Sequence, residues 1–304
     1  MKQARVFIFG AGYSGKAFAA ERPPGATILG TTRSVDKFRG LQAAGIEPLL
    51  FDGVAAGNEI ARVLATATHL VVSIAPDEAG DPVLRAFGEA IATAMPELRW
   101  IAYLSTVGVY GDHDGRWIDE TAACRPVSAR SKRRVEAEAA WMELAARRGV
   151  PLAVLRLSGI YGPGRNAFVN LEEGKARRLV KTGQVFNRIH VADIAGTLWH
   201  LAERRIGGVF NVTDDLPAPP QDVVAHAASL MGVEPPPEVP FEGAELSPMA
   251  RSFYGENKRV SNAAIRATGY QFRYPDYRAA LSAMWADGDW RGAKDDARSP
   301  IRQS

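Results

Sequence analysis

Short apolar runs alternating with helical patterns constrain this chain more than any other feature. Arg5–Phe9, Thr27–Thr31, Glu47–Phe51, His69–Ile74, Arg99–Leu104, Leu152–Leu157 and Val209–Val212 read as strands. Between and after them the spacing predicts helices over Gly15–Glu21, Gly57–Ala65, Pro82–Ala94, Ser131–Arg148, Val191–Glu203 and Pro220–Met231. Ser131–Arg148 is the clearest, rich in Ala, Glu and Arg and stopped by Gly149-Val150-Pro151. Such alternation builds a parallel sheet, because each parallel return needs a crossover. Runs as apolar as Leu70-Val71-Val72 suit strands covered on both faces. The expected fold is therefore α/β, a doubly wound parallel sheet with helices on either side.

Directly behind the first strand stands Gly10-Ala11-Gly12-Tyr13-Ser14-Gly15, and Lys16-Ala17-Phe18 opens a helix after it. The spacing alone is unspecific, but strand, glycine turn and helix in this order form a dinucleotide-binding turn of the Rossmann type. The first glycine permits the tight turn, the second lets backbone approach a pyrophosphate, and the third lets helix pack on strand. The helix start then aims unpaired N–H groups at phosphate. From about residue 214 the texture changes. Pro217, Pro219, Pro220, Pro235-Pro236-Pro237 and Pro240 mark loops and linkers. A small C-terminal lobe is expected there, with helices at Ser261–Thr268 and Asp276–Asp287. The expected division is a dinucleotide-binding domain over 1–165, completed by about 188–215, and a lobe from 166–187 and 216–287. A charged, turn-rich tail over 288–304 is expected to be flexible.

Composition narrows the function classes. A net charge of +3 with scattered basic residues gives no stripe for nucleic acid. Basic runs such as Lys132-Arg133-Arg134 and Lys175-Ala176-Arg177-Arg178 read as solvated helix faces. The single cysteine, Cys124, leaves no internal disulfide and no cysteine-rich metal site. No apolar stretch is long enough for a membrane span, and the start lacks a signal-peptide pattern. A cytoplasmic protein acting on a small molecule, with neither membrane nor nucleic acid as partner, is the expectation. No His/Cys/Asp/Glu spacing suggests a metal.

Four further segments make the glycine turn specific. They are Tyr103-Leu104-Ser105-Thr106-Val107-Gly108-Val109-Tyr110-Gly111, Leu155-Arg156-Leu157-Ser158-Gly159-Ile160-Tyr161-Gly162-Pro163-Gly164-Arg165, Arg188-Ile189-His190-Val191-Ala192-Asp193-Ile194-Ala195 and Gly208-Val209-Phe210-Asn211-Val212. In this order, across residues 4 to 280, the chain resembles the extended short-chain dehydrogenase/reductase superfamily, the NAD-dependent epimerase/dehydratase family. The resemblance implies about seven strands, with substrate held between the sheet's C-terminal edge and the small lobe. It places the catalytic hydroxyl on Thr106 and the catalytic lysine on Lys132, which would also hold the nicotinamide ribose. Pairing of two copies through the long helix, a homodimer, is also implied.

One position departs from the family. Members with dehydrogenase chemistry carry Tyr-x-x-x-Lys, which puts phenol and cation on one helix face and lowers the phenol's pKa. Here Ser128 stands at the tyrosine position, where it either positions a water or caps the helix. No tyrosine lies between Gly111 and Tyr161, so Tyr110, Tyr161 or Tyr254 is left as a proton source from another loop. Tyr110 and Tyr161 equally suit packing at strand ends. Dehydratase members carry Asp-Glu after the catalytic Thr, whereas Val107-Gly108 stand here, which disfavours dehydration. The reaction expected is NADP-dependent oxidation–reduction or epimerisation of a sugar-like or small carbonyl substrate. The alternative is an NADP-binding sensor without turnover.

Cofactor choice is written at the end of the second strand. NAD-preferring folds place an acid there for the ribose 2′-hydroxyl. This strand ends in Thr32-Arg33-Ser34, whose planar cation and hydroxyls suit a 2′-phosphate, so NADP is expected over NAD. Asp52 is placed to reach adenine, and Ser73-Ile74-Ala75 to line the ribose side. By the family likeness the backbone of Ile160-Tyr161 approaches the nicotinamide. Arg165, Asn166 and Arg188 are the candidate contacts to an anionic or polyhydroxylated substrate. Asn211 and Lys258 stand where the lobes meet. His190 reads as a loop anchor and Asp193 as a helix-start acid.

Overall fold

In the computed structural model, which describes residues 4–293, seven strands form one all-parallel sheet. Across the sheet they run Glu47–Leu50, Thr27–Thr32, Arg5–Phe9, His69–Val72, Trp100–Thr106, Leu152–Leu157 and Gly208–Val212. Register is continuous, with Ile8 beside Gly30 and Val71, and Leu155 beside Leu104 and Phe210. The order of growth reverses between Arg5–Phe9 and His69–Val72. At such a reversal the following crossovers leave on opposite faces and open a crevice at the strands' C-terminal ends.

Alternate side chains of the first strand feed two cores. Val6 and Ile8 pack with Phe18 and Trp199, beneath the helices Tyr13–Ala20 and Val191–Arg204. The Phe18 ring stacks on Trp199 at 4.2 Å, and the Trp199 indole donates to the Phe18 carbonyl at 2.8 Å. Phe7 and Phe9 face the other way, towards Phe87 and Trp141 of the helices Pro82–Thr93 and Ala129–Arg148. The long helix ends where Gly149 takes φ 68° and Pro151 follows, since proline cannot continue the helical ladder.

Helices Ala167–Glu172, Pro220–Met231 and Tyr277–Asp287 share a third core around Phe168, Tyr277 and Trp290. Three short parallel ladders accompany this lobe: Gly159–Tyr161 with Arg188–His190, Arg178–Val180 with Glu238–Pro240, and Trp117–Ile118 with Arg259–Val260. Lobe and sheet domain are sewn together. The Asn257 N–H donates to Asp112 Oδ1 at 2.6 Å, and buried Lys258 donates to the Gly111 carbonyl at 2.6 Å. Asn211 Nδ2 donates to the Ser261 carbonyl at 3.1 Å.

The expected tail begins differently from its reading. Trp290 is buried, and its carbonyl accepts from the Gly164 N–H at 2.8 Å and from Asn166 Nδ2 at 2.7 Å. Residues 288–293 thus pack on the lobe, while 294–304 lie outside the described residues. No helix among the described residues is long and apolar enough to cross a membrane.

Candidate dinucleotide and substrate site

The glycine turn leaves the first strand at the sheet's reversal. Gly10 has φ +85°, and a Cβ built there would stand 2.9 Å from Ile74 Cγ1 and 3.2 Å from the Ile74 nitrogen. The turn therefore folds flat against the chain leaving His69–Val72. Gly10 N–H donates to Thr31 Oγ1 at 2.9 Å, and Ala11 N–H donates to the Thr31 carbonyl at 2.8 Å, which fixes it from the other side. Gly12 is exposed, and a Cβ there would meet nothing within 4 Å. That open side, above the first turn of the helix Tyr13–Ala20, is where backbone N–H groups lack helical partners and the dipole favours an anion. The residues fit a dinucleotide. Gly15 is less constrained than expected, because a methyl there would touch Ala11 and Ile8 at an ordinary 3.7 Å. Sequence reasoning missed the tether of Tyr13, whose hydroxyl donates to the Pro163 carbonyl at 2.9 Å.

Around the turn stand the other cofactor candidates. Thr32 is buried, Ser34 half-buried and Arg33 exposed, with no partner for Arg33 among the described residues. Ser34 donates to Asp36 Oδ2 at 3.2 Å. Asp52 is exposed and accepts from the Val54 N–H at 2.8 Å, which closes its own loop. Ser73 and Ile74 are half-buried and Ala75 is exposed, past the end of the fourth strand.

Thr106 ends the fifth strand, half-buried, and its Oγ1 accepts from the Gly108 N–H at 3.1 Å. Its own hydroxyl proton stays uncommitted and can be given to a ligand. Lys132 is exposed, with no hydrogen bond or ion pair to the described residues. Ser128 is the N-cap of the long helix: its Oγ accepts from the Ser131 N–H at 3.1 Å and donates to Ser131 Oγ at 2.9 Å. Capping consumes the hydroxyl, so its assignment as a catalytic group is corrected. Ser128→Ala is expected to lower stability by about 1 kcal/mol, measured by urea unfolding, with cofactor affinity unchanged.

Tyr110 is also corrected. It is fully buried, donates to Asn211 Oδ1 at 2.8 Å and accepts from Arg156 at 2.9 Å. Burial pushes its phenol up to about 12, the opposite of what proton exchange near neutrality needs. Beneath it Arg156 pairs with Glu138 at 2.7 Å, both buried, and Ser105 donates to the same carboxylate. Arg134 leaves the expected solvated face and donates to the Leu104 carbonyl and the Tyr103 hydroxyl, both at 3.0 Å. Tyr254 packs between Phe186 and Phe241.

Asn166 is the third correction. Buried, it donates to the Gly162 and Trp290 carbonyls and accepts from the Val169 N–H, so it shapes the loop and leaves nothing for a substrate. Arg165 is exposed and Arg188 half-buried. His190 caps the helix Val191–Arg204, accepting from the Ala192 N–H at 3.3 Å, and burial lowers its pKa to about 4. Asp193 does more than start a helix. It is buried and accepts from the N–H groups of Arg273 (2.7 Å) and Tyr274 (3.0 Å) and from the Tyr270 hydroxyl (3.0 Å). A separate groove of about 440 Å³, lined by Met142, Gly149, Pro151, Gly208 and Val209, lies where the last two strands begin. That is the edge of the sheet opposite the glycine turn.

A crevice at the sheet's reversal, a glycine turn open to an anion, and Thr106 at the end of a neighbouring strand define a dinucleotide-binding protein. The family model described as NAD dependent epimerase/dehydratase family matches residues 86–213 of the chain. A functionally unknown conserved protein from Silicibacter pomeroyi DSS is 47% identical, with a TM-score of 0.85 over 94% of this chain and 100% of that one. Protein YeeZ of Escherichia coli strain K12 is 26% identical over 90% of this chain and 97% of its own length. A 3-diazoavenalumate denitrifying reductase from a Streptomyces species is 27% identical over 42% of this chain and 45% of its own. The human epimerase family protein SDR39U1, solved with NADPH, shares the fold at 20% identity and a TM-score of 0.70, over 93% and 99% of the two chains.

Proposed function

We propose that the protein is an NADP(H)-dependent oxidoreductase acting on a small carbonyl or sugar-like substrate, working in the direction of reduction. The open face of Gly12 over a helix start, at the reversal of a parallel sheet, carries the reading. NADPH in the human structure and the reductase name of the Streptomyces relative support it. When bound, the cofactor supplies hydride. The chain's own residues hold it along the Gly10–Gly15 turn, present the Thr106 hydroxyl to the substrate oxygen, and set the Lys132 cation beside the ribose. Reduction is favoured because taking a proton from an alcohol calls for a base of lowered pKa. Ser128 is spent on its cap and Tyr110 is buried. A reduced oxygen can instead collect its proton from water. Epimerisation, which needs proton removal and return, fits less well.

Purified protein mixed with NADPH and a panel of aldehydes, ketones and nucleotide sugars tests the reading through loss of nicotinamide absorbance. NADPH binding without turnover across the panel would favour a sensor, the reading that the sealed Ser128 cap supports. Cofactor preference is tested at Arg33. Arg33→Ala is expected to weaken NADPH binding by about 10- to 100-fold and NADH binding by less than about 3-fold, measured by fluorescence titration. Equal weakening of both would remove the 2′-phosphate role.

A further inference from the structure

Buried polar atoms without partners gather beside the short ladder of Gly159–Tyr161 on Arg188–His190. Arg188 donates to the carbonyls of Phe186 at 2.9 Å and Ala218 at 3.0 Å through one nitrogen. Its other two nitrogens make no hydrogen bond to the described residues, its guanidinium carbon stands 6.0 Å from the centre of the Tyr277 ring, and no described carboxylate forms an ion pair with it. Asp214 is 1% exposed, gives its N–H to the Arg188 carbonyl at 2.7 Å, and leaves Oδ2 unpartnered. The Tyr161 hydroxyl and Ser158 Oγ are buried and unpartnered as well. His190 accepts through Nδ1, which leaves its proton on Nε2, also buried and unpartnered, with its ring 5.3 Å from that of Tyr161. Unsatisfied buried groups are uncommon and costly, and here they surround the half-buried Arg188 guanidinium. Arg188 and His190 Nε2 can only donate, and the two hydroxyls can donate too. The set suits a ligand rich in acceptors and carrying negative charge.

We propose that this cluster binds an anionic oxygen group of the substrate, with Arg188 as its cation and Asp214 as the internal anion that competes for it. The inference rests on the oxidoreductase reading only in taking the ladder, which continues the sixth strand past its C-terminal end, to line the substrate side of the crevice. Carboxylate and tetrahedral oxyanion share this chemistry. Burial holds the Asp214 carboxyl up to about 8, with Arg188 favouring its ionised form and Asp276 and Asp215 opposing it. Below that pH Asp214 is neutral, and the Arg188 charge is offered to the ligand. Above it the two neutralise each other, and the anion meets a like charge.

Sulfate and benzoate keep their charge between about pH 6.5 and 9 and serve as the tetrahedral and planar probes. Calorimetry on the full chain is expected to show millimolar binding of at least one at pH 6.5, weakening about 10-fold by pH 9. Arg188→Gln is expected to lose about 10-fold or more at the lower pH. Asp214→Asn is expected to bind nearly as well at pH 9 as at pH 6.5, which keeps the proposal testable should Arg188→Gln fail to fold. Preference for one probe names the ligand's geometry. No binding of either by the wild type, unchanged binding in Arg188→Gln, or wild-type pH dependence in Asp214→Asn would overturn the proposal. NADPH titration in parallel separates the two readings, since an absent cofactor site leaves the anion result interpretable.

Discussion

Gly12→Val is expected to fold and to lose NADPH binding by about 100-fold or more, because the new side chain fills the space a pyrophosphate needs. The backbone at Gly12 has φ −90° and ψ −147°, outside the left-handed region that favours glycine, and nothing within 4 Å would meet a Cβ there. The cost to folding is that of a poorer helix cap, about 1 kcal/mol. Gly10→Ala should behave in the opposite way. At φ +85°, with Ile74 Cγ1 at 2.9 Å from the new Cβ, the substitution strains backbone and neighbour together, an expected loss of about 1–3 kcal/mol in stability. Chemical denaturation and fluorescence titration of both variants separate the two roles. If Gly12→Val bound NADPH like the wild type, the cofactor would lie elsewhere.

Arg156→Met is expected to cost about 3–5 kcal/mol, the range seen when one partner of a buried ion pair is removed. The variant strands the Glu138 carboxylate, which is 4% exposed on its side chain, and removes a donor from the Tyr110 hydroxyl. For a chain of this size such a loss lowers Tm by roughly 10 °C. Adding Glu138→Gln should restore part of it, since a neutral amide leaves no charge buried. A calorimetric Tm within about 2 °C of wild type for Arg156→Met would show that the pair contributes little net stability.

The central strands were readable because each is a short apolar run bounded by turn residues, and all eight predicted helices lie within two residues of their observed limits. The helix Phe38–Ala43 escaped because only Leu41 of it is buried, too few positions to show a period. Within the site, local chemistry was legible and distant partners were not. Gly10 and Gly12 declare their roles by position alone. Asp193 looks like a helix-start acid because its true partners, Arg273 and Tyr274, lie about eighty residues onward. Tyr110 invited a catalytic role for the same reason, its acceptor Asn211 lying about a hundred residues onward on the last strand of the sheet. One signal was available: a lone arginine in the apolar strand Leu152–Leu157 demands a buried acid, and Glu138 stands on the helix that precedes it.

The seam between lobe and sheet has a consequence for traffic. The chain passes between the two several times, and the strip Asn257–Ser261 is bonded along its length to 111–118 through His113, Gly115, Arg116 and Ile118. A ligand that needs this strip to lift on entry or exit must break these hydrogen bonds together.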